Sequence, residues 1–173
     1  PGPGFGIDGT RRLAQVTGRP LIGTIIKPSI GLSIADLRPL VRDLATAGLD
    51  FIKDDELNAD PPYAPLAERV PAVMDEIHRV ADRTGRKAMY AFNITGDVDH
   101  LLRSHDLVRD AGGTCVMVNV NCVGLAAVAH LRRHCELPIH GHRAGFGAFA
   151  RDPLLVLLNA GRAHAVGWRA QFR

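Results

Sequence analysis

Residues 48–62, GLDFIKDDELNADPP, place a lysine and three carboxylates directly after a short apolar run. The run LDFI is typical of a buried β-strand, and KDDE follows it without a spacer. Because side chains alternate along a strand, Lys53 and Asp55 should share one face, and Glu56 can join them where the chain turns. Oxygen ligands at this density suit a hard cation, Mg²⁺ more than Zn²⁺. The alternative is a solvated acidic loop in which Lys53 is an ion-pair partner.

The rest of the chain repeats an alternation of strand and helix. The predicted strands are 21–26, 50–53, 87–92, 114–120 and 138–142, and the predicted helices are 33–47, 64–84, 98–111 and 124–135. Ser33 is placed to cap the first of these helices and Gly48 to end it, and Pro39 is expected to kink it. This order indicates βα units and a parallel α/β sheet. A closed (β/α)₈ barrel needs about 250 residues, so the chain is either a smaller open sheet or a truncated barrel of about five units.

Composition fits one globular domain, with 173 residues of which 46% are hydrophobic and 23% charged. No apolar run approaches the roughly 20 residues that cross a bilayer, so we expect no membrane segment. Residues 161–173 contain three arginines and no acid, which accounts for the net charge of +3 and disfavours nucleic-acid binding by the remainder. Cys115, Cys122 and Cys135 form no C-x-x-C pair and are expected to be reduced thiols in a cytoplasmic protein.

Polar residues also follow the other predicted strands, at the sheet edge where parallel α/β folds place their sites. They are Lys27, Asn93, Thr95, Asn119, Asn121, His140, His142 and Arg143. Lys27 is either exposed or directed into a cleft, where desolvation would lower its pKa and suit proton transfer. His142 beside Arg143 is either a base next to an anion-binding group or a structural histidine. The remaining histidines are expected at the surface: His78, His100, His105, His130, His134 and His164.

The order GTIIKPSIGLS, GLDFIKDDE, HGHRAG resembles the large chain of RuBisCO and the RuBisCO-like proteins, from about residue 5 to about residue 154. The resemblance implies a (β/α)₈ barrel behind a separate N-terminal domain, working as a homodimer with sites shared between chains. It divides this chain into an irregular lead-in at 1–20, a partial barrel at 21–154 and a divergent basic tail at 155–173. Strands six to eight have no counterpart, and the start at Pro rather than Met leads us to expect missing upstream sequence.

The resemblance also implies roles for the strand-end residues. Lys53 would react with CO₂ to form a carbamate, and Asp55 and Glu56 would complete the protein side of a Mg²⁺ site. The other implied roles are an acid/base lysine at Lys27, a histidine near the substrate at His142, a phosphate-binding arginine at Arg143 and a histidine beside the site at His140.

Departures from the carboxylases concern the substrate pocket. Ile25 replaces a threonine that contacts substrate, Ser29 replaces a lysine that supports the site, and 144–147 lack a second histidine. The metal-site residues and Lys27 are retained. We therefore expect a Mg²⁺-dependent RuBisCO-like enzyme that enolises a phosphorylated ketose or sugar acid, as an isomerase, enolase or decarboxylase. A genuine ribulose-1,5-bisphosphate carboxylase fragment and a non-catalytic fragment are the alternatives.

Overall fold

Five parallel strands form one sheet in the order of the chain, β1-β2-β3-β4-β5, in a computed structural model that describes residues 4–157. The strands are β1 Gly23–Ile25, β2 Phe51–Lys53, β3 Met89–Asn93, β4 Cys115–Asn119 and β5 Ile139–His142. The helices are α1 Gly6–Ala14, α2 Ile34–Thr46, α3 Leu66–Thr84, α4 Val98–Asp110, α5 Val120–His134 and α6 Phe146–Phe149. A helix follows each strand, and the sheet curls into half a barrel, so the predicted truncated (β/α)₈ type is confirmed.

The larger hydrophobic core lies between the outer face of the sheet and the helices. Ile52, Tyr90, Phe92, Val116 and Val118 point outward from the strands into this layer. Six apolar residues at helical spacing on α3 are all buried: Leu66, Val70, Val73, Met74, Ile77 and Val80. Burial of this stripe fixes the helix against the sheet, since α3 packs on α2 on one side and on α4 on the other.

The inner face of the sheet carries a smaller core, which α1 helps to close. Ala14 and Val16 pack with Met89, Ala91, Cys115 and Met117, and Leu21 and Phe51 border them. The predicted irregular lead-in at 1–20 is therefore wrong for residues 6–14, which are helical. Gly6 and Gly9 lower the helical propensity of this stretch, and the packing of its end against the barrel interior stabilises the helix instead.

Helix ends largely follow the predicted signals. Ser33 accepts a hydrogen bond from the backbone N–H of Asp36 in a capping box, and the glycine after α3, Gly85, has the left-handed φ of 71° that ends a helix. The helix predicted at 124–135 instead begins at Val120, with a break at Gly124, where φ is 79°. Gly124 thus separates a short first turn from the regular part of α5.

The predicted tail at 155–173 falls almost entirely outside the described residues. Its three arginines, Arg162, Arg169 and Arg173, and His164 all lie there. Within residues 4–157, no helix combines the length and the apolar character that a membrane crossing requires.

Candidate functional site

The carboxyl ends of the strands bring the predicted site residues to one edge of the sheet. Lys53, the last residue of β2, pairs in register with Ile25 of β1 and Ala91 of β3. At the other side, His142 ends β5 opposite Asn119 of β4. Alternation along each strand directs these side chains to the inner face, so the charged groups of β2 and β5 meet at the mouth of the half-barrel.

Asp55 lies at the centre of this group and is almost fully buried. Its Oδ2 accepts hydrogen bonds from Lys27 Nζ at 2.5 Å and Ser29 Oγ at 2.9 Å, and its Oδ1 accepts one from the backbone N–H of Leu57 at 2.9 Å. Burial would raise the pKa of the Asp55 carboxyl, but the hydrogen bonds from Lys27, Leu57 and Ser29 outweigh it and hold that pKa below its usual value. Asp55 is therefore an anion at neutral pH.

Lys27 reaches this carboxylate from the loop after β1 while 53% of its side chain stays exposed. Its hydrogen bond to Asp55 raises the pKa of the ammonium group, and the charge of Glu56 adds to this. Of the two alternatives for Lys27, the structure agrees with neither fully: the side chain is about half exposed, and contact with an anion has a larger effect on its pKa than burial.

Lys53 is much less exposed than Lys27, with only 14% of its side chain accessible to solvent. Its Nζ donates to the carbonyl of Asp54 at 3.1 Å and lies 3.8 Å from Oε2 of Glu56. Burial lowers the pKa of the Lys53 ammonium, although Glu56 and Asp55 oppose the effect. A buried lysine with a lowered pKa loses its proton more readily, and the neutral amine is the nucleophilic form.

Glu56 faces both Lys53 and the end of β5. Its Oε2 is buried and accepts no hydrogen bond from any residue between 4 and 157, and it lies 3.8 Å from His142 Nε2. His142 Nδ1 accepts a hydrogen bond from the backbone N–H of Ala144 at 3.1 Å, so the neutral ring carries its proton on Nε2, toward Glu56. Burial and the charge of Lys53 lower the pKa of His142.

His140 and Arg143 flank the mouth on the β5 side. Burial lowers the pKa of His140 to about 4, so its ring is neutral at physiological pH, and it lies 5.5 Å from the ring of Phe51 between ring centroids. Arg143 is exposed and holds its guanidinium 5.3 Å from the centroid of the Phe146 ring. Together with Glu56 and His142 it lines an open cleft of about 560 Å³, large enough for a small anionic ligand.

The donor set fits a hard divalent cation. A carboxylate offers about four lone-pair directions, and three described hydrogen bonds on Asp55 leave one of them open. Glu56 Oε2 adds a buried acceptor without a described partner. Two carboxylates are few charges for Mg²⁺, and Lys53 could supply a third anionic oxygen group only after carbamylation.

The profile of the family described as ribulose bisphosphate carboxylase large chain, catalytic domain, matches residues 6–155. The chain belongs to this RuBisCO family. A ribulose bisphosphate carboxylase-like protein of Bordetella bronchiseptica is 57% identical over 90% of this chain and 37% of its own length. A 3-oxo-isoapionate-4-phosphate transcarboxylase/hydrolase of Xanthobacter autotrophicus is 58% identical over 89% of this chain and 37% of its own length.

Solved structures agree with the sequence comparison. A RuBisCO-like protein from Burkholderia fungorum superposes with a TM-score of 0.85 at 54% identity, covering 87% of this chain and 37% of that one. The chain thus spans little more than a third of the length of these relatives. It corresponds to the first five βα units of a RuBisCO-like barrel.

A buried polar network lies behind the candidate site and was not predicted from the sequence. Asp54 points away from the mouth, fully buried, and accepts hydrogen bonds from Tyr90 Oη at 2.6 Å and from the backbone N–H of Asn93 at 2.9 Å. Arg69, also fully buried, lies 3.3 Å from Asp54 and donates to the carbonyls of Asn58, Ala59 and Ala64. The alternation of the KDDE segment indicated the opposite face for Asp54, but the sequence does not show which distant residues pair with it.

A second polar cluster lies on the outer helices, where His105 is fully buried rather than at the surface as predicted. His105 Nε2 accepts the backbone N–H of Glu136, so its Nδ1 carries a proton and donates to Asp106 at 2.9 Å. His134 and Arg109 contact the same carboxylate oxygen at 2.8 Å and 3.0 Å. These hydrogen bonds join α4 to α5, and they leave His105 no free electron pair for a metal ion.

Proposed function

We propose that this chain supplies the metal-binding and proton-transfer half of a Mg²⁺-dependent RuBisCO-like enzyme that enolises a phosphorylated ketose or sugar acid. The observation that carries the proposal is the convergence of Lys27, Lys53, Asp55 and Glu56 at one mouth, with a buried oxygen of Glu56 unpartnered among the described residues. Substrates of this kind bring a carbonyl, a hydroxyl and a phosphate, and the site offers groups suited to each.

Lys53 is the residue proposed to carry a carbamate. Its neutral amine attacks the carbon of CO₂, an N–C bond forms as one C–O π bond opens onto oxygen, and the nitrogen releases a proton to solvent, so the side chain becomes an anionic oxygen ligand. The burial that lowers the pKa of Lys53 favours this reaction. Asp55 and Glu56, two and three residues further along the chain, would complete the ligand set. When bound, Mg²⁺ supplies a positive charge that stabilises the oxyanion of the enolised substrate.

The remaining residues have roles that follow from their chemistry. Lys27 projects into the mouth from the loop after β1, where its ammonium group can give a proton to the substrate, and the amine that remains can take a proton from a substrate carbon. His142 presents its Nε2 proton as a hydrogen-bond donor. Arg143 is exposed at the cleft and suits a phosphate group, and His140, 6.2 Å from His142 between ring centroids, is neutral at physiological pH.

The names of two similar proteins support a narrower class of substrate. The transcarboxylase/hydrolase of Xanthobacter autotrophicus is 58% identical, and a 3-oxo-isoapionate-4-phosphate decarboxylase of Rhizobium rhizogenes is 48% identical over 88% of this chain. A protein named ribulose bisphosphate carboxylase from Archaeoglobus fulgidus is only 38% identical. We therefore propose a phosphorylated 3-oxo sugar acid as the substrate, and a reaction in which its carboxyl group is lost or transferred. The full-length protein is proposed to act as a homodimer.

Turnover of 3-oxo-isoapionate 4-phosphate with Mg²⁺ and bicarbonate tests the proposal. We expect loss of the substrate carboxyl group, and a decrease of at least about 100-fold in Lys27→Met, because general acid–base catalysis typically contributes that much. Lys87→Met is the matched control, since Lys87 donates to the carbonyl of Gly112 on another part of the fold. Carboxylation of ribulose bisphosphate instead would identify a genuine carboxylase, and no turnover of either substrate by the folded full-length protein that contains this chain would contradict the proposal.

A further inference from the structure

Two asparagines at the ends of β3 and β4 contact the backbone of the loop that carries Asp55 and Glu56, which we call the metal-site loop. Asn93 Nδ2 donates to the carbonyl of Asp55 at 3.0 Å and to that of Glu56 at 3.1 Å. Asn119 Nδ2 donates to the same Glu56 carbonyl at 2.8 Å. Thr95 joins the two asparagines, and we call Asn93, Thr95 and Asn119 the amide network. The peptide groups of both candidate carboxylate ligands are therefore held by side chains from neighbouring strands.

The amide network has one defined orientation. Asn93 Oδ1 accepts hydrogen bonds from Thr95 Oγ1 at 2.6 Å and from the Thr95 backbone N–H at 3.1 Å, so its Nδ2 must point toward the loop. Thr95 Oγ1 in turn accepts the backbone N–H of Asn119 at 3.0 Å. Asn93 is fully buried and Asn119 nearly so, which keeps water from competing for these contacts.

The backbone carbonyl and the side-chain carboxylate of Glu56 differ in their hydrogen bonding. Its carbonyl accepts two side-chain amides, whereas its Oε2 is buried and accepts no hydrogen bond from residues 4–157, with Lys53 Nζ and His142 Nε2 each 3.8 Å away. An unpartnered buried oxygen favours rearrangement of the loop toward any available donor. Asn93 and Asn119 oppose that rearrangement, because a shift of the Glu56 peptide would break two hydrogen bonds in a dry environment.

We propose that Asn93 and Asn119 are positioning residues that hold Glu56 and Asp55 in the geometry that receives Mg²⁺. This inference rests on the proposed Mg²⁺ site. Neither asparagine touches the ion or the substrate; each acts through the loop backbone. The unpartnered Glu56 oxygen is the feature that the network maintains, ready for a cation.

The test is Mg²⁺ titration of the 173-residue chain by calorimetry in the presence of bicarbonate. We expect Asn119→Ala to weaken Mg²⁺ binding about 10-fold, the lower end of the loss typical when a group supporting a metal ligand is removed. Asn121→Ala is the matched control: its amide also donates one hydrogen bond to a loop carbonyl, that of Ala144 at 2.9 Å, but not to the metal-site loop. Its affinity should stay within about twofold of the wild type. Asn119→Asp, which keeps the size and loses the donor, provides a second variant if Asn119→Ala does not fold.

Thermal unfolding without Mg²⁺ separates positioning from a merely structural role. A structural role predicts that Asn119 variants unfold at lower temperature than the wild type and bind Mg²⁺ with unchanged affinity; that result would overturn the inference alone. Failure of the folded wild type to bind Mg²⁺ would overturn both the inference and the proposed metal site. Weaker Mg²⁺ binding in the Asn119 variants, together with unchanged Mg²⁺ binding in Asn121→Ala, would support the inference.

Discussion

Asp50 forms ion pairs with two arginines at the end of the sheet remote from the candidate site. Its carboxylate, almost fully buried, accepts hydrogen bonds from Arg19 at 2.6 and 2.8 Å, from Arg86 at 2.7 Å and from the backbone N–H of Ile22 at 2.9 Å. The hydrogen bond from Arg19, with those of its neighbours, lowers the pKa of Asp50 to about 2 against the effect of burial. This residue connects the segment before β1, the start of β2 and the loop before β3.

Asp50→Asn should lower the free energy of unfolding by about 1–2 kcal/mol at pH 7, a figure reduced from the full pKa shift because both arginines are partly exposed. A carboxyl with a lowered pKa in the folded state stabilises the protein above its unfolded pKa of about 4. That contribution is lost as the pH falls through about 2, so wild type and variant should converge there. Urea unfolding at several pH values measures this. Asp43→Asn, at an exposed ion pair with Arg42, is the control and should change nothing measurable.

At the residue scale, the sequence was sufficient for the groups that act locally. Lys53, Asp55 and Glu56 lie within four consecutive residues, and the period of a strand alone predicts which of them share a face. Lys27 meets Asp55 because parallel strands end at one edge. The partners of Asp54 and the burial of His105 were not predictable, because they depend on how helices pack on the sheet rather than on any local pattern.

At the element scale, α3 and the loop before it act as one unit through Arg69. The guanidinium is fully buried, donates to three loop carbonyls and lies 3.3 Å from Asp54. Burial raises the pKa of Asp54, with Arg69 and Tyr90 opposing the effect. Since the next residue, Asp55, is a candidate metal ligand, α3 helps to fix the position of the metal-site loop.

Arg69→Met should lower the free energy of unfolding by about 3 kcal/mol, because it removes the positive charge beside the buried Asp54 carboxylate and the side-chain donor of three loop carbonyls. Chemical denaturation at neutral pH measures the change. Arg79→Met is a suitable control: Arg79 lies on the same helix, 62% exposed, in ion pairs with Asp75 and Glu76. Equal stability of the two variants would show that the buried network contributes little.

Most elements followed from periodicity, and the exceptions have physical causes. The helical stripe of α3 and the capping residue Ser33 are strong local signals, and both agree with the structure. Helix α1 was missed because glycines weaken its propensity and its stability comes from contacts with strands far along the chain. The predicted start of α5 at residue 124 was four residues late, because Gly124 marks a break inside the helix rather than its beginning.

At the scale of the whole molecule, the candidate site draws on all five strands. Lys27 follows β1, the carboxylates follow β2, the amide network ends β3 and β4, and His142 ends β5. All of these lie within residues 23–142, so the residues proposed to bind the metal ion are all contained in this chain. In the described residues, β1 and β5 are the edges of the sheet, each paired on one side only.

The most direct test of the central claim is calorimetric titration of Mg²⁺ into the chain, with and without bicarbonate, for the wild type and for Lys53→Met. Methionine keeps the length of the side chain beside Met117 but has no amine to form a carbamate. The account predicts tight binding only for the wild type with bicarbonate, and weak binding in the other three combinations. Equal Mg²⁺ affinity with and without bicarbonate, or equal affinity in Lys53→Met, would contradict it.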